Sequence, residues 1–272
     1  MIKKILKIYF TVLLSAASLF CSITTSSTSS NMLSNKLNNL DTPSKKSSSS
    51  VTSLLVPITL KSKFQKAQKG DYLVTLKNDT YTLLIINNLT TEKLSLEEVV
   101  LPKSALKKNS SFQKLSNQNY PDALVWNIYE IDFLKNRLLS AYSLKNSASF
   151  KIDSGDHFLM KLLTLPLKPQ PDYKRKKIGP PPQGGEADRR KLWQPAKFFE
   201  GNKIAQAQFK VLETVWPKDG SELSRKTIEL YFDDSFPFPY FIQIHASQLT
   251  VFLKSVDSGH NFPVKSYIFN SR

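Results

Sequence analysis

Apolar and polar residues alternate most regularly between residues 209 and 245 of this 272-residue chain. Ile228 and Leu230 fall on one side of an extended segment, and Glu229 and Tyr231 fall on the other. A Pro-Lys-Asp-Gly sequence and a Pro-Phe-Pro sequence interrupt the alternation, because both favour turns or sheet edges. The pattern therefore predicts a half-buried antiparallel meander.

Weaker alternation elsewhere in the chain predicts more strands. Asn78-Asp79 and Lys135-Asn136 separate pairs of apolar runs and are typical of tight hairpin turns. We expect the polar stretch 104–122 to be a long loop and Asp257-Ser258-Gly259 to be a turn. The further predicted strands are residues 72–77, 80–86, 94–101, 125–132, 137–144, 204–216 and 249–256.

Residues 152–165 change from strand spacing to helical spacing, with Phe158 and Leu162 about one turn apart. Ser154 is placed to cap the first turn, and Pro166 is placed to end the helix. We therefore expect one short amphipathic helix that packs against the sheet.

The predicted fold class is mostly β, an antiparallel sandwich-like body with one short helix, preceded by a disordered leader. We expect Trp126 and Trp216 to be largely buried and Trp193 to be partly buried. Composition divides the chain into a signal peptide (1–21), a Ser/Thr/Asn-rich tether (22–53), a β-rich region (54–166), a Pro-rich basic segment (167–191) and a second β-rich region (192–272).

The Pro-rich basic segment, residues 167–191, is called the strap below. Its prolines favour extended polyproline geometry, which indicates either a domain boundary or a strap lying across a single domain. In the second case Tyr173, Ile178 and Trp193 would anchor it. Two basic runs in this segment are candidates for binding an anionic surface: Lys174, Arg175, Lys176, Lys177, Arg189, Arg190 and Lys191.

The first 21 residues have the pattern of a signal peptide. Three lysines precede an uncharged apolar run at residues 8–20, which is short for a transmembrane helix. Cys21, the only cysteine of the chain, follows this run directly. In that position it resembles the acylated cysteine of bacterial lipoproteins, although Ser18 and Phe20 stand where that family prefers Leu and a small residue. The alternative is ordinary cleavage after Ser18.

The resemblance implies lipidation at Cys21, for example by palmitate, and export to the bacterial cell envelope. A secreted or soluble periplasmic protein is the alternative localisation. Because one cysteine cannot form an intramolecular disulfide, the exported body must be held together by its core. Residues 22–53 have too few apolar side chains to offset the entropy cost of ordering, so we expect a flexible tether.

The candidate catalytic residues form no complete constellation. Asp153, Ser154 and His157 have the residue types of a hydrolase triad, but they lie too close in sequence, and a capping turn is the simpler interpretation. Asp257 and His260 supply two metal ligands where three or four are needed. Metal, nucleotide and serine-hydrolase motifs are absent from the sequence, so we expect no catalytic residue, no cofactor and no metal.

Two acidic or aromatic clusters remain. Asp233-Asp234 is a candidate acid pair or calcium-ligand fragment, with a charged strand end as the simpler interpretation. Phe236, Phe238, Tyr240 and Phe241 could form a stacking platform for a sugar or a partner strand, with a core role as the simpler interpretation. The net charge of +16 favours anionic partners, and export argues against nucleic acid.

The sequences WPKDG at 216–220 and PFPY at 237–240 give the last third a resemblance to uncharacterised envelope proteins of intracellular bacteria. This resemblance implies no activity. The sequence therefore predicts a membrane-tethered envelope lipoprotein with a non-catalytic binding or structural role. Its partners would be the membrane, through the lipid anchor, and an anionic lipid or glycan, with the protein partner unknown. The alternative is an exported hydrolase that acts on cell-wall or surface glycans.

Overall fold

A twelve-stranded antiparallel sheet dominates the computed structural model of the chain. The structure describes residues 58–106, 111–115, 119–150, 158–221, 223–245 and 250–267. The strands are β1 (Ile58–Thr59), β2 (Tyr72–Lys77), β3 (Thr80–Leu89), β4 (Lys93–Pro102), β5 (Val125–Asp132), β6 (Arg137–Ser143), β7 (Ala148–Phe150), β8 (Pro166–Pro169), β9 (Lys197–Phe199), β10 (Asn202–Ile204), β11 (Lys210–Val215), β12 (Thr227–Phe232), β13 (Phe241–His245) and β14 (Thr250–Gly259).

The order of strands in the sheet is β1-β8-β11-β12-β13-β14-β2-β3-β4-β5-β6-β7, and β9 pairs separately with β10. This confirms the mostly β, antiparallel fold class. The sheet contains strands from both sides of the strap, joined where β14 pairs with β2. The signal peptide, the tether and Cys21 lie outside the described residues.

Turn chemistry sets the register of the β2–β3 and β5–β6 hairpins as the sequence predicts. Asn78 and Asn136 adopt left-handed backbone angles, with φ of 51° and 48°. Asparagine tolerates this conformation better than most residues, because its short polar side chain can bond to the local backbone. Both hairpins, and the β11–β12–β13 meander, pair at or close to the predicted positions.

The main core contains side chains from both halves of the strand order, so the sheet curves around one apolar centre. Leu96 and Tyr129 of the first half share this cluster with Leu230 and Phe232 of the second half. A second cluster on the other face of β2–β5 includes Val74 and is covered in part by residues of the C-terminal segment and of a short helix.

Three short α-helices accompany the sheet in the described part of the chain: α1 (Leu60–Phe64), α2 (Phe112–Leu115) and α3 (Phe158–Thr164). Helix α3 is the predicted helix, and its Leu162 and Leu163 are buried. Its predicted cap, Ser154, lies outside the described residues. Helix α1 begins at a capping box formed by Thr59 and Ser62, and sequence reasoning missed it. The stretch 104–122 contains α2 and part of a 3₁₀ turn, Lys103–Ala105.

Three expectations were wrong in detail. The predicted strand 204–216 is two strands, β10 and β11, separated by a turn in which Gln206 has a φ of 55°. Asp257-Ser258-Gly259 is not a turn but the buried end of β14, because backbone and side-chain partners satisfy its polar groups. Trp126 is only partly buried, although Trp216 is 2% exposed and Trp193 is partly buried as expected.

Strand β4 carries two adjacent buried carboxyl groups, Glu97 and Glu98. Glu97 accepts hydrogen bonds from the Trp126 indole nitrogen at 2.7 Å and from the Asn87 amide at 3.0 Å. Glu98 accepts a hydrogen bond from the Tyr129 hydroxyl at 2.7 Å. Burial raises the pKa of both, in the case of Glu98 from 4.5 to about 7.

Trp216→Ala should destabilise the protein by about 3–5 kcal/mol, because a fully buried indole leaves a cavity when it is removed. Its indole nitrogen also donates to Asp219 at 2.9 Å, which fixes the turn after β11. The neighbouring Val215 is 58% exposed, so Val215→Ala should cost less than about 0.5 kcal/mol. Denaturant unfolding measures both changes, and a Trp216→Ala protein as stable as the Val215→Ala control would contradict the packing described.

Glu98→Gln should flatten the pH dependence of stability. Between about pH 4.5 and pH 7 the folded chain keeps a proton on Glu98 that the unfolded chain has lost, so the wild-type free energy of unfolding falls as the pH rises. The contribution of this carboxyl over that range is about 3 kcal/mol. The glutamine amide of the variant keeps an oxygen that can accept from Tyr129, and it does not ionise.

Denaturant unfolding across this pH range compares Glu98→Gln with wild type and with Glu186→Gln, which neutralises an exposed acid. The Glu186→Gln profile should follow the wild-type profile. Parallel profiles for Glu98→Gln and wild type would show that Glu98 does not hold its proton in the folded state.

Candidate functional site

Several predicted site residues fall outside the described part of the chain. These are the lipidation candidate Cys21 and the triad-like residues Asp153, Ser154 and His157. The other two histidines lie on different parts of the sheet. His260 follows β14, and His245 ends β13.

Asp257 and His260 have separate partners, so they do not form the two-ligand metal fragment that the sequence suggested. Asp257 accepts hydrogen bonds from the backbone of Gly201 and Ser258, both at 2.9 Å, and from the Tyr72 hydroxyl at 3.2 Å. His260 pairs through Nδ1 with Asp71 at 2.5 Å. The described residues contain no group of three or more potential metal ligands.

The acid pair Asp233-Asp234 stabilises the turn after β12. Asp233 pairs with Lys197 at 2.5 Å and accepts from the backbone of Ser235 at 2.9 Å. Asp234 pairs with Lys210 and with Lys63. Although partial burial of Asp233 acts in the opposite direction, these partners hold the pKa values of both carboxyl groups below their usual range. The geometry fits the simpler interpretation of a charged strand end.

The aromatic cluster near the two prolines faces the core. Phe236, Phe238, Tyr240 and Phe241 are 1–7% exposed. A buried ring cannot stack on a ligand from solvent, so these four residues fit the simpler interpretation, a core role, and not a stacking platform. The Tyr240 hydroxyl instead accepts a hydrogen bond from the Ser258 hydroxyl at 3.0 Å, and the Lys197 ammonium group lies over the Tyr240 ring.

The strap begins in β8 and then leaves the sheet. Its two arms meet again where Lys177 bridges Leu192, with backbone hydrogen bonds on either side from Ile178 to Lys191 and from Trp193 to Lys176. This closes residues 177–192 into a loop, which we call the lobe. A groove of about 670 Å³ lies within the lobe. It is lined by Ile178, Gly179, Pro180, Pro182 and residues 186–190.

Of the three expected anchors, only Trp193 packs on the sheet. Its ring makes edge contacts with Tyr231 and Phe241 at 5.7 and 5.1 Å. Tyr173 and Ile178 are 77% and 57% exposed, so they do not hold the strap down.

The strap cations divide into two sets. Lys174 pairs with Glu213, Arg175 with Asp172, and both Lys177 and Arg190 with Asp188. Arg190 and Lys177 together hold the pKa of Asp188 well below its usual range. In the described part of the chain, the remaining strap cations form no ion pair with an acid: Lys168 in β8, Lys176, which lies over the Trp193 ring at 5.0 Å, and the exposed Arg189 and Lys191.

His245 belongs to a polar row that sequence reasoning missed. Its Nε2 lies 2.9 Å from Glu229 on the neighbouring strand, and Gln170 donates to the same carboxylate oxygen at 2.7 Å. Glu229 is directly opposite Glu213 in the β11–β12 register. Burial, with a smaller contribution from Glu229, raises the pKa of Tyr231 on the same face to about 12. The alternation in the sequence places Glu229 and Tyr231 on one side of their strand. It does not show which strand pairs with theirs, so it could not predict the row.

Comparisons with known proteins bear on the fold. A family model described as CT021 protein matches residues 82–205, a little under half of the chain. The chain is also similar to the solved structure of a hypothetical protein, CT021 from Chlamydia trachomatis, with a TM-score of 0.59 and 22% sequence identity over 80% of this chain and 100% of that chain. No curated protein matches it.

At 22% identity the structural likeness shows the fold alone. It agrees with a resemblance to uncharacterised proteins of intracellular bacteria, and neither description names an activity. In the described part of the chain, no helix has the length and apolar character that spanning a bilayer requires. The comparisons therefore support the architecture and leave the function to be argued from the surface.

Proposed function

We propose that this protein is an exported, lipid-anchored envelope protein whose β body binds an anionic surface through the lobe and performs no catalysis. The anchor would be Cys21, after the signal-like first 21 residues, and the tether would be residues 22–53. The observation that carries the binding role is the set of lobe cations that the protein's own acids do not neutralise.

The ion pairs of the strap favour Arg189 and Lys191 over the other cations as contacts. A cation already paired with a carboxylate contributes little further attraction, because the pair is nearly neutral at a distance. Arg189 and Lys191 are exposed and form no ion pair among the described residues. Each such charge near an anionic membrane contributes roughly 1 kcal/mol.

The lobe also presents an apolar residue beside these charges. The bridge between Lys177 and Leu192 places Ile178 next to Lys191, and Ile178 is 57% exposed. Tyr173 is exposed near the base of the lobe. An aliphatic and an aromatic side chain flanked by cations suit the interface between headgroups and acyl chains, where tyrosine is enriched. This combination favours a lipid surface over a soluble anion.

The non-catalytic role is supported by the partners of the described acids and histidines. Asp257, Asp233 and His260 each hold elements of the fold together, as described above. The alternative of an exported hydrolase would need Asp153 or His157 to meet one of these groups, and those two residues lie outside the described part of the chain.

Cys21→Ala should abolish incorporation of radiolabelled palmitate when the chain is produced in a bacterial host with lipoprotein-processing enzymes. The thiol of Cys21 is the only one in the chain, so no other cysteine can accept the acyl group. Ser22→Ala, which changes the adjacent residue and keeps the thiol, should label like wild type. Equal labelling of the Cys21→Ala chain, or no labelling of wild type, removes the lipid anchor from the proposal.

In a chain that also carries Cys21→Ala and so lacks the proposed lipid anchor, Arg189→Ala/Lys191→Ala should weaken co-sedimentation with vesicles that contain phosphatidylglycerol by about 30-fold, since two lost charges are worth about 2 kcal/mol. Binding of the Cys21→Ala parent chain should fall as salt is added. The matched control in the same background is Lys66→Ala/Lys69→Ala, which removes two exposed lysines before β2 and the same net charge. If the two double variants bind equally, or if neutral vesicles bind as well, the lobe is not the membrane contact.

A further inference from the structure

A row of side chains crosses five neighbouring strands on the outer face of the sheet. The strand register places Lys168 of β8 opposite Glu213, and Glu213 opposite Glu229. Glu229 lies opposite Gln243, and Gln243 lies opposite Phe252 of β14. Because side chains of directly paired residues project to the same face, the five form one line across the sheet, which we call the outer row.

The centre of the outer row has an arrangement that costs stability. Like charges directly opposite each other on paired strands are unfavourable, and Glu213 and Glu229 are such a pair. Lys174 lies 3.7 Å from Glu213, and His245 and Gln170 bind Glu229. The surrounding groups thus hold two carboxylates in place on a sheet face where apolar residues would pack at lower cost.

A buried, unsatisfied polar atom lies beside the outer row. Gln170 is 8% exposed, and its amide nitrogen donates to Glu229 while its amide oxygen is buried without a partner among the described residues. Arg175 Nε and the side-chain oxygens of Gln194, Thr214 and Ser255 are also buried without a partner among the described residues. Buried polar groups almost always have partners, so the Gln170 oxygen marks a place beside the row where hydrogen bonding is incomplete.

Aromatic rings border the same face. Phe252 ends the outer row, is 58% exposed, and stacks on Phe241 with ring centroids 5.9 Å apart and planes 20° apart. Trp193 and Tyr231 make edge contacts with Phe241, with ring centroids 5.1 and 5.4 Å away. The stack leaves a flat ring open to solvent at one end of a line of carboxylate and amide groups.

We propose that the outer row binds a neutral sugar chain. Hydroxyl groups both donate and accept, so they can donate to the partly exposed carboxylates of Glu213 and Glu229. The apolar face of a pyranose ring would stack on Phe252. Because Lys174 pairs with Glu213, the outer row offers an anion no unpaired cluster of cations such as the lobe has, which suits a neutral ligand.

The test is retention of the full chain, solubilised in a non-ionic detergent, on three insoluble uncharged polysaccharides: chitin, cellulose and curdlan. The wild type is expected to bind at least one of them and to be released by the matching soluble oligosaccharide. Phe252→Ala and Glu229→Gln are each expected to weaken that binding by about tenfold or more. Retention on none of the three, or elution that no oligosaccharide promotes, overturns the proposal.

The matched control is Leu134→Ala, which removes another exposed apolar side chain (67% exposed) at the β5–β6 turn, away from the outer row. It should bind like wild type, and equal loss in Phe252→Ala and Leu134→Ala would indicate nonspecific adhesion and overturn the site. Circular dichroism melting confirms that Phe252→Ala, at an exposed position, stays folded.

Two further measurements distinguish sugar binding by the outer row from membrane binding by the lobe and from catalysis. Arg189→Ala/Lys191→Ala should bind sugar like wild type, and loss of sugar binding in that variant would place the ligand at the lobe instead. Assays for newly formed reducing ends should show no cleavage of the bound polysaccharide. Cleavage would overturn the non-catalytic role while leaving the sugar site in place.

Discussion

The pairing of β14 with β2 is the interaction on which the single sheet depends, because it joins strands from near the two ends of the described chain. At the end of this pair Gly259 lies opposite Tyr72. A Cβ at Gly259 would lie 2.8 Å from the Tyr72 ring and from the Glu200 side chain, so the two strands can approach this closely only with glycine there. Without this contact the meander and the β2–β7 strands would have no shared ladder.

Buried polar groups give this junction its specificity. Asp257 accepts hydrogen bonds from the Tyr72 hydroxyl and the Gly201 amide, and the Ser258 hydroxyl donates to the carbonyl of Phe198. Burial raises the pKa of Asp257, and the hydrogen bonds it accepts oppose the shift. Each group would cost free energy if left without its partner, so only the register that satisfies all of them is favourable. The residues that looked most like a metal site are thus explained by the joining of two strands.

Local patterns predicted the elements much better than their pairing. The β2–β3 and β5–β6 hairpins follow from alternation and from Asn78 and Asn136, since turn and register lie within a few residues. The exposed state of Val215 and the buried end of β14 could not be read from the chain, because they depend on strands far away in sequence. The same limit applies to the outer row: Glu213 and Glu229 are ordinary strand residues until the register places them side by side.

The outer surface of β2–β5 and the outer surface of the meander are covered to different extents. The less covered surface is the one that exposes polar and aromatic side chains. On β2–β5 the C-terminal segment covers the face: Phe262 packs against Tyr72, and the Tyr267 hydroxyl donates to Glu97 at 3.3 Å. On the meander the strap covers only part of the face: Gln170 and Lys174 reach Glu229 and Glu213, and Trp193, just after the strap, packs on Tyr231 and Phe241. The lobe cations Arg189 and Lys191 are exposed. In the sheet, Phe252 of β14 and His245 of β13 are also open to solvent.

Incomplete coverage of this kind is difficult to account for by stability alone. An apolar residue in place of Glu229 would pack against Tyr231 and Trp193 without the cost of desolvating a carboxylate, and burial of one side chain of that size contributes about 1.5–3 kcal/mol. The chain instead uses a lysine, a histidine and a glutamine to hold two acids together. Because surfaces that sacrifice packing in this way usually contact something else, the meander face, rather than the buried aspartates or histidines, is where the function of this protein should be sought.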